Sequence, residues 1–182
     1  MKFKILQLLF AGVIAFSGCT KETTSIQVVR HPVIKFTTAT SDWTADKYFF
    51  SGNAQVVEYP YNVRTAQLYN RLTLQAFGTD TKGNNLQLIL MFDATDLQQL
   101  TGSYLPKYTT GKGLKQVQIY NLNTNSLAAY ALCDSTSSAL QIQRQSISER
   151  LLSGTFQATV CNTKDSTQKI KIANGTFTDI NY

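Results

Sequence analysis

Leu68-Tyr69-Asn70-Arg71-Leu72-Thr73-Leu74-Gln75-Ala76 is followed by Gly78-Thr79-Asp80-Thr81-Lys82-Gly83-Asn84-Asn85 and then by Leu86-Gln87-Leu88-Ile89-Leu90-Met91-Phe92. In the first stretch Leu68, Leu72, Leu74 and Ala76 alternate with Tyr69, Arg71, Thr73 and Gln75, with Asn70 as the exception on the apolar face. A period of two places one face of an extended chain against a core. The middle stretch holds turn formers, so the two flanks read as an antiparallel hairpin. In the third stretch Ile89 and Met91 make the second face apolar as well, which predicts a strand that is central or covered on both sides.

The same period recurs toward the C-terminus. Val117 and Ile119 alternate with Gln116, Gln118 and Tyr120; Leu140 and Ile142 with Gln141 and Gln143. Phe156, Ala158 and Val160 alternate with Thr155, Gln157 and Thr159; Ile170 and Ile172 with Lys169 and Lys171. Short strands bounded by Gly, Asn, Asp and Ser predict an all-β fold, an antiparallel sandwich or barrel. Asn174-Gly175 is either a hairpin turn or a bulge. The strand-like terminus, residues 176–182, is expected to pair in the sheet. At most one short helix is expected, near 94–100, with Asp93 as its cap and Asp96 in its first turn.

The N-terminus has a different character. Lys2 and Lys4 precede the mainly apolar run Ile5 to Phe16, and Ser17-Gly18-Cys19 follows. This is the pattern of a signal peptide, too short to span a bilayer. Phe16-Ser17-Gly18-Cys19 resembles a lipobox, with Phe in place of the usual Leu. Residues 1–18 are therefore expected to be removed, and Cys19 to carry lipid. Each buried CH₂ is worth about 0.8 kcal/mol, so several acyl chains would anchor the protein firmly. Residues 19–32 then form the lipidated end and a polar tether, and 33–182 a single β domain, long enough for a real core. Thr20 stands where an Asp would, by enterobacterial analogy, mean inner-membrane retention. The expected location is the cell envelope, at the outer membrane.

Only 15% of the 182 residues are charged, and the formal charge of +6 includes Lys2 and Lys4. The basic residues are scattered, which argues against a nucleic-acid footprint. With Cys19 assigned to lipid, Cys133 and Cys161 remain. An exported compartment permits a bridge between them, worth about 3.6 kcal/mol in the chain-entropy model. Two buried free thiols are the other reading, and without a Cα separation both stay open.

Four blocks carry a likeness to known sequences. They are Phe36-Thr37-Thr38-Ala39-Thr40-Ser41-Asp42-Trp43-Thr44-Ala45, Thr101-Gly102-Ser103-Tyr104, Leu152-Ser153-Gly154-Thr155-Phe156-Gln157-Ala158 and Ile172-Ala173-Asn174-Gly175-Thr176-Phe177. From about Phe36 onward the chain resembles an uncharacterised domain family of Bacteroidota secreted lipoproteins. The resemblance implies a secreted β-sandwich or barrel, with the Phe36–Ala45 block similar to the family's opening strand and Trp. It implies no activity. In that phylum Asp134-Ser135-Thr136 and Asp165-Ser166-Thr167 look like O-glycosylation acceptors, at Ser135 and Ser166; chance tripeptides in a Ser/Thr-rich chain are the plainer reading.

Catalysis finds little support. His31 is the single histidine, beside Pro32 in the tether, so neither a nucleophile-histidine pair nor a histidine-rich metal site is available. Asp93 and Asp96 are the close carboxylate pair after a strand, and helix capping explains them more simply than acid-base chemistry. Gly111-Lys112-Gly113 lacks the spacing of a phosphate-binding loop. No catalytic residue, metal or cofactor is assigned. The suggestive feature is aromatic: Trp43, Tyr48, Tyr59 and Tyr61 are candidate ligand-contact residues, because Trp and Tyr present flat amphipathic faces. Trp43 as plain core is the competing reading.

Three functions follow as expectations. The first is a non-catalytic binding or accessory lipoprotein, with a carbohydrate or another envelope protein as partner. The second is a lipocalin-like carrier of an apolar molecule, which requires a roomy interior lined by Leu72, Leu74, Leu88 and Leu90. The third is a carboxylate-dependent hydrolase, which requires Asp93 or Glu58 to face a second carboxylate.

Overall fold

Period-two alternation closes here into a ring. The computed structural model describes residues 31–58, 67–107, 111–123 and 128–182. Its strands are β1 (Val33–Thr37), β2 (Asp42–Glu58), β3 (Gln67–Asp80), β4 (Asn85–Ala94), β5 (Gly102–Tyr104), β6 (Gly113–Asn121), β7 (Ala128–Ser146), β8 (Leu151–Asn162) and β9 (Lys169–Asn181). All strand pairings are antiparallel. β1, β2, β3, β4, β6, β7, β8 and β9 follow one another round an eight-stranded barrel, and β9 pairs with β1 to close it. β5 is the extra strand. It pairs with the C-terminal half of β7, beyond the stretch that β6 covers.

The inward residues fill the barrel. Ile34, Phe36, Trp43, Leu72, Leu74, Ala76, Leu88, Leu90, Phe92, Val117, Ile119, Leu140, Ile142, Phe156, Val160, Ile172, Phe177 and Ile180 are all buried in one cluster. The outward neighbours on β3, β6 and β8 are mostly Thr and Gln. Of the two readings of the strand with Ile89 and Met91, the central one holds: β4 pairs with β3 on one side and β6 on the other. Ile89 and Met91 point outward, half-buried, with no second layer over them among the described residues. Each sits in register between polar residues: Gln75 and Gln118 flank Ile89, and Thr73 and Gln116 flank Met91.

The connections explain two further differences from expectation. The short helix expected at 94–100 does not form, and the described residues contain no helix. Ala94 still belongs to β4, and Asp96 holds a tight turn by accepting the Gln98 N–H at 2.8 Å. Leu100 is fixed instead by the Gln145 side chain, which accepts its N–H at 2.8 Å and donates to the Leu97 carbonyl at 2.7 Å. The opening block quoted above is also not one strand. Phe36 lies on β1 and Trp43 on β2, with a hairpin turn between them and their rings stacked 4.8 Å apart.

Asn174-Gly175 is a bulge. Ile172 pairs with Ala158 and Gly175 with Phe156, so β9 carries one extra residue there, with Asn174 at φ 50°. A second bulge places Asp179 at φ 50° between Phe177 and Ile180. Bulges sharpen the local bend, which a small barrel needs to close. Between them β8 and β9 pair aromatics with glycines: Gly154 faces Phe177, and Phe156 faces Gly175. A Cβ on Gly154 would lie 2.3 Å from the Gln141 carbonyl oxygen and 2.6 Å from the Phe177 ring. Gly154→Ala is therefore expected to cost about 1–3 kcal/mol by overpacking, measured as a lower urea midpoint. An unchanged midpoint would mean that the Phe177 ring shifts freely.

Candidate functional site

The barrel has two ends. β1 runs toward the end that carries the β1–β2 and β3–β4 hairpins, so the N-terminal residues His31 and Pro32 enter from the side of the opposite end. The hairpin end holds an open mouth of about 260 Å³. Its apolar floor comes from Phe36, Leu86, Ile119 and Ile170, the last inward residues of their strands. Its rim comes from turn residues, among them Thr38, Thr40, Ser41, Asn84 and Asn121, with Tyr130 at the side. Trp43, the cross-strand partner of Phe36, stacks on its ring and does not line the mouth.

Hydrogen bonds fix this rim. The Thr38 hydroxyl donates to the Ser41 carbonyl at 3.1 Å and accepts the Ser41 N–H at 3.1 Å. The Asp80 carboxylate accepts backbone N–H groups from Lys82 at 2.9 Å and Asn84 at 2.8 Å, and the Asn84 amide at 3.0 Å. Burial raises the pKa of Asp80, but hydrogen bonds from Asn84, Lys82 and Ser41 outweigh it and hold the carboxyl below its ordinary value. Asp80 is therefore an ionised, fully engaged group that pins the β3–β4 turn.

Three lysines, Lys82, Lys169 and Lys171, also line the mouth. Among the described residues none of them has an ion-pair partner, and the Tyr130 hydroxyl has no hydrogen-bond partner. Asp42 and Asp165 lie at the same end but do not line the mouth. The Asp165 carboxylate is taken up by Thr167, at 2.6 Å from its hydroxyl, and by the Gln168 amide at 3.0 Å.

The opposite end has a larger hollow of about 410 Å³, lined by Phe50, Leu72, Leu97, Ile147, Arg150 and Tyr182. It lies at the end from which β1 is entered and from which the β2–β3 connection leaves. The Tyr182 hydroxyl there is already bonded to the Gln145 amide at 2.6 Å. Among the described residues the barrel interior is packed: a void of about 10 Å³ lies between Leu74, Leu90, Phe92 and Phe177. That is about the space of one water-sized sphere, so Leu74 and Leu90 line no chamber there, and Leu72 borders only the hollow at the opposite end.

The residues singled out from the sequence fall in separate places. Trp43 is 1% exposed and belongs to the core, so it offers no face to a ligand. Its indole N–H has no partner. Tyr48 is half-buried on β2, and its hydroxyl accepts the Asn181 N–H at 3.2 Å across the barrel seam. Tyr59, Tyr61 and Cys19 lie outside the described residues. Cys133 and Cys161 are joined by a disulfide between β7 and β8, with Cα atoms 5.7 Å apart. Ser135 is exposed in an irregular stretch of β7, which the Asp134 carboxylate organises by accepting from Thr136 and Ser137. Ser166 is exposed in the β8–β9 connection.

Asp93 and Asp96 do not share a cleft. Asp96 caps its turn in solvent, whereas Asp93 is wholly buried on the outer wall beneath two cations. Arg71 grips it with two bonds of 2.8 Å, from Nε to Oδ1 and from Nη2 to Oδ2. Lys115 approaches to 3.6 Å. Lys115 is the extra residue of a β6 bulge, between Leu114 opposite Phe92 and Gln116 opposite Met91. The bulge turns its side chain toward Asp93. The segment Leu105–Lys107 closes over this corner, with Leu105 O and Lys107 N both bonded to Leu114 at 2.9 Å. Among the described residues no cluster of His, Cys, Asp or Glu is placed to hold a metal ion.

An up-and-down antiparallel barrel with a packed interior and one basic, hydroxyl-ringed mouth defines the structural class. Compared with protein-family models, curated proteins and solved structures, the chain matches none of them. The sequence signal for the mouth was faint. Its residues come from the ends of six separated strands, and Lys169 and Lys171 read only as the outward partners of Ile170 and Ile172.

Proposed function

We propose that the protein is a lipid-anchored, non-catalytic binding module of the cell envelope, whose mouth takes a carbohydrate. The observation that carries this reading is the mouth itself. A concavity of about 260 Å³ with an apolar floor, an aromatic side and a rim of hydroxyl and amide groups suits a sugar ring. Ligand pockets for drug-sized molecules run from about 300 Å³ upward, so this one fits about one or two rings. A sugar presents apolar C–H faces to rings such as Tyr130 and hydroxyls to polar rims.

The anchor gives the mouth its orientation. Lipid on Cys19 would hold the protein by the end at which the chain enters β1, leaving the mouth directed away from the membrane. Support for anchoring rather than spanning comes from the wall of the barrel. A membrane-spanning barrel turns apolar residues outward, whereas Thr73, Gln75, Gln116, Gln118, Gln141 and Gln157 face outward here. No helix among the described residues is long and apolar enough to cross a membrane. The carrier alternative shares the barrel architecture, but an apolar cargo would need an interior that the packed core occupies.

A thermal-shift panel tests the reading on the full chain in detergent, with oligosaccharides, fatty acids, lipid head groups and calcium. A ligand at about 100 times its Kd stabilises by about 2.7 kcal/mol, which gives a visible shift. A saccharide is expected to raise the melting temperature, and Tyr130→Ala to remove that rise. A shift with fatty acid alone would favour the carrier. No saccharide shift, or one that Tyr130→Ala leaves untouched, would contradict the mouth as the site.

A further inference from the structure

The geometry points to an acidic sugar, a uronate or another carboxylate-bearing saccharide, as the ligand class of the mouth. This inference rests on the mouth being a saccharide site and specifies what it selects.

A neutral sugar needs donors and acceptors around its hydroxyls and gains little from ammonium groups. Yet Lys82, Lys169 and Lys171 all border this one concavity, Lys82 from the β3–β4 turn and Lys169 and Lys171 from the start of β9. None of the three has an ion-pair partner among the described residues. Elsewhere on the barrel some cations are matched, Arg71 and Lys115 with Asp93 and Arg144 with Asp179 at 3.2 Å and Glu149 at 3.9 Å. Others, such as Lys35 and Lys164, stand singly on the surface among the described residues. What sets the mouth apart is that three amines border one concavity. The single carboxylate in the mouth, Asp80, directs its oxygens at Asn84 and the backbone N–H of Lys82 rather than at an amine. It keeps its charge and offsets part of the positive field, but it supplies no partner for the lysines.

The arrangement of groups favours a ligand that combines charge with hydroxyls. A bare anion would leave the floor of Phe36, Leu86, Ile119 and Ile170 uncovered. A uronate ring could lie on that floor and against Tyr130, its hydroxyls toward Thr40 and Asn121, and its carboxylate toward the amines. Hydrogen bonds between ionised partners are about twice as strong as neutral ones, and those made at a concave site are screened less by salt than isolated surface pairs.

The test compares galacturonate, galactose and sulfate by calorimetric titration of the full chain in detergent, with wild type, Lys169→Gln/Lys171→Gln and Lys82→Gln. All three lysines are exposed, so these variants are expected to fold and melt as the wild type does. Galacturonate is expected to bind about tenfold or more tighter than galactose, the range set by a hydrogen bond to a charged group. The lysine variants should bring the two sugars to similar affinity by weakening galacturonate far more than galactose. Equal affinity of the two sugars for wild type, or a preference that survives both variants, overturns the inference and leaves the saccharide reading standing. Sulfate binding as tightly as galacturonate also overturns it, because the ring would then contribute nothing. If neither sugar binds, the saccharide reading itself fails.

Discussion

A chain lacking residues 176–182 is expected not to fold. Those residues complete β9, the one strand that closes the barrel, because it pairs with β1 on one side and β8 on the other. Ile34 faces Phe177 and Val33 faces Thr178 on the first side; Leu152 faces Ile180 and Leu151 faces Asn181 on the second. Phe177 is 3% exposed and Ile180 is fully buried. Truncating a buried Phe costs about 3–5 kcal/mol and a buried Ile about 2–5 kcal/mol. A domain of ordinary stability has about 5–15 kcal/mol in total, so these two side chains alone account for much of it. The deletion also unpairs both edges of the seam and removes the Tyr182 hydroxyl from Gln145. Far-UV circular dichroism should show no cooperative thermal transition. A transition at the wild-type temperature would mean that the barrel does not depend on its closing strand.

Asp93→Ala is expected to destabilise the protein by about 3–5 kcal/mol, the usual cost of removing one partner from a buried ion pair. The loss does not reflect a large net value of the ion pair. It comes from what remains: a Lys115 side chain 9% exposed and an Arg71 guanidinium that loses both of its hydrogen bonds to the carboxylate. Lys115 owes its position to the β6 bulge and cannot swing to solvent without disturbing the corner that Leu105–Lys107 seals. Lys115→Met in the Asp93→Ala background should recover part of the loss by removing one of the two cations that Asp93 neutralises. Urea unfolding measures both. A change below about 1 kcal/mol for Asp93→Ala would place the cluster with solvated surface pairs.

The alternation of residues 68–92 was legible because a strand with one buried face leaves a period of two, whatever surrounds it. The turn between those strands was legible too, although β3 runs on to Asp80 and the turn is narrower than the polar cluster that marks it. Whether the sheet closes was not legible. Closure depends on the pairing of Ile34 with Phe177, partners from opposite ends of the chain, and no local pattern encodes it. Asp93 read as a helix cap and Asp96 as a first-turn carboxylate, but Asp93 lies in β4 and Asp96 makes an Asx turn, which uses the same carboxylate-to-N–H bond as a cap. Tertiary context decided between them, through Gln145 holding Leu97 and Leu100.

The site was less visible than the fold for a related reason. Aromatic residues were the natural place to look, but the burial of Trp43 depends on Phe36, which joins it only across the β1–β2 hairpin. The mouth is built from strand ends, where side chains obey turn geometry and not a period. Its one usable sequence signal is that Lys82, Asn84, Asn121 and Lys169 each stand at or next to a turn.

Nuclear magnetic resonance titration of the isotopically labelled full chain in detergent micelles with galacturonate tests the central claim most directly, because it reports where a ligand sits. The account predicts amide shifts confined to the mouth, at Thr38 to Ser41, Lys82 to Asn84, Asn121, Tyr130 and Lys169 to Lys171, with none at Phe50, Leu97 or Tyr182. Shifts concentrated at the opposite end, or among the inward residues of the barrel core, would contradict it.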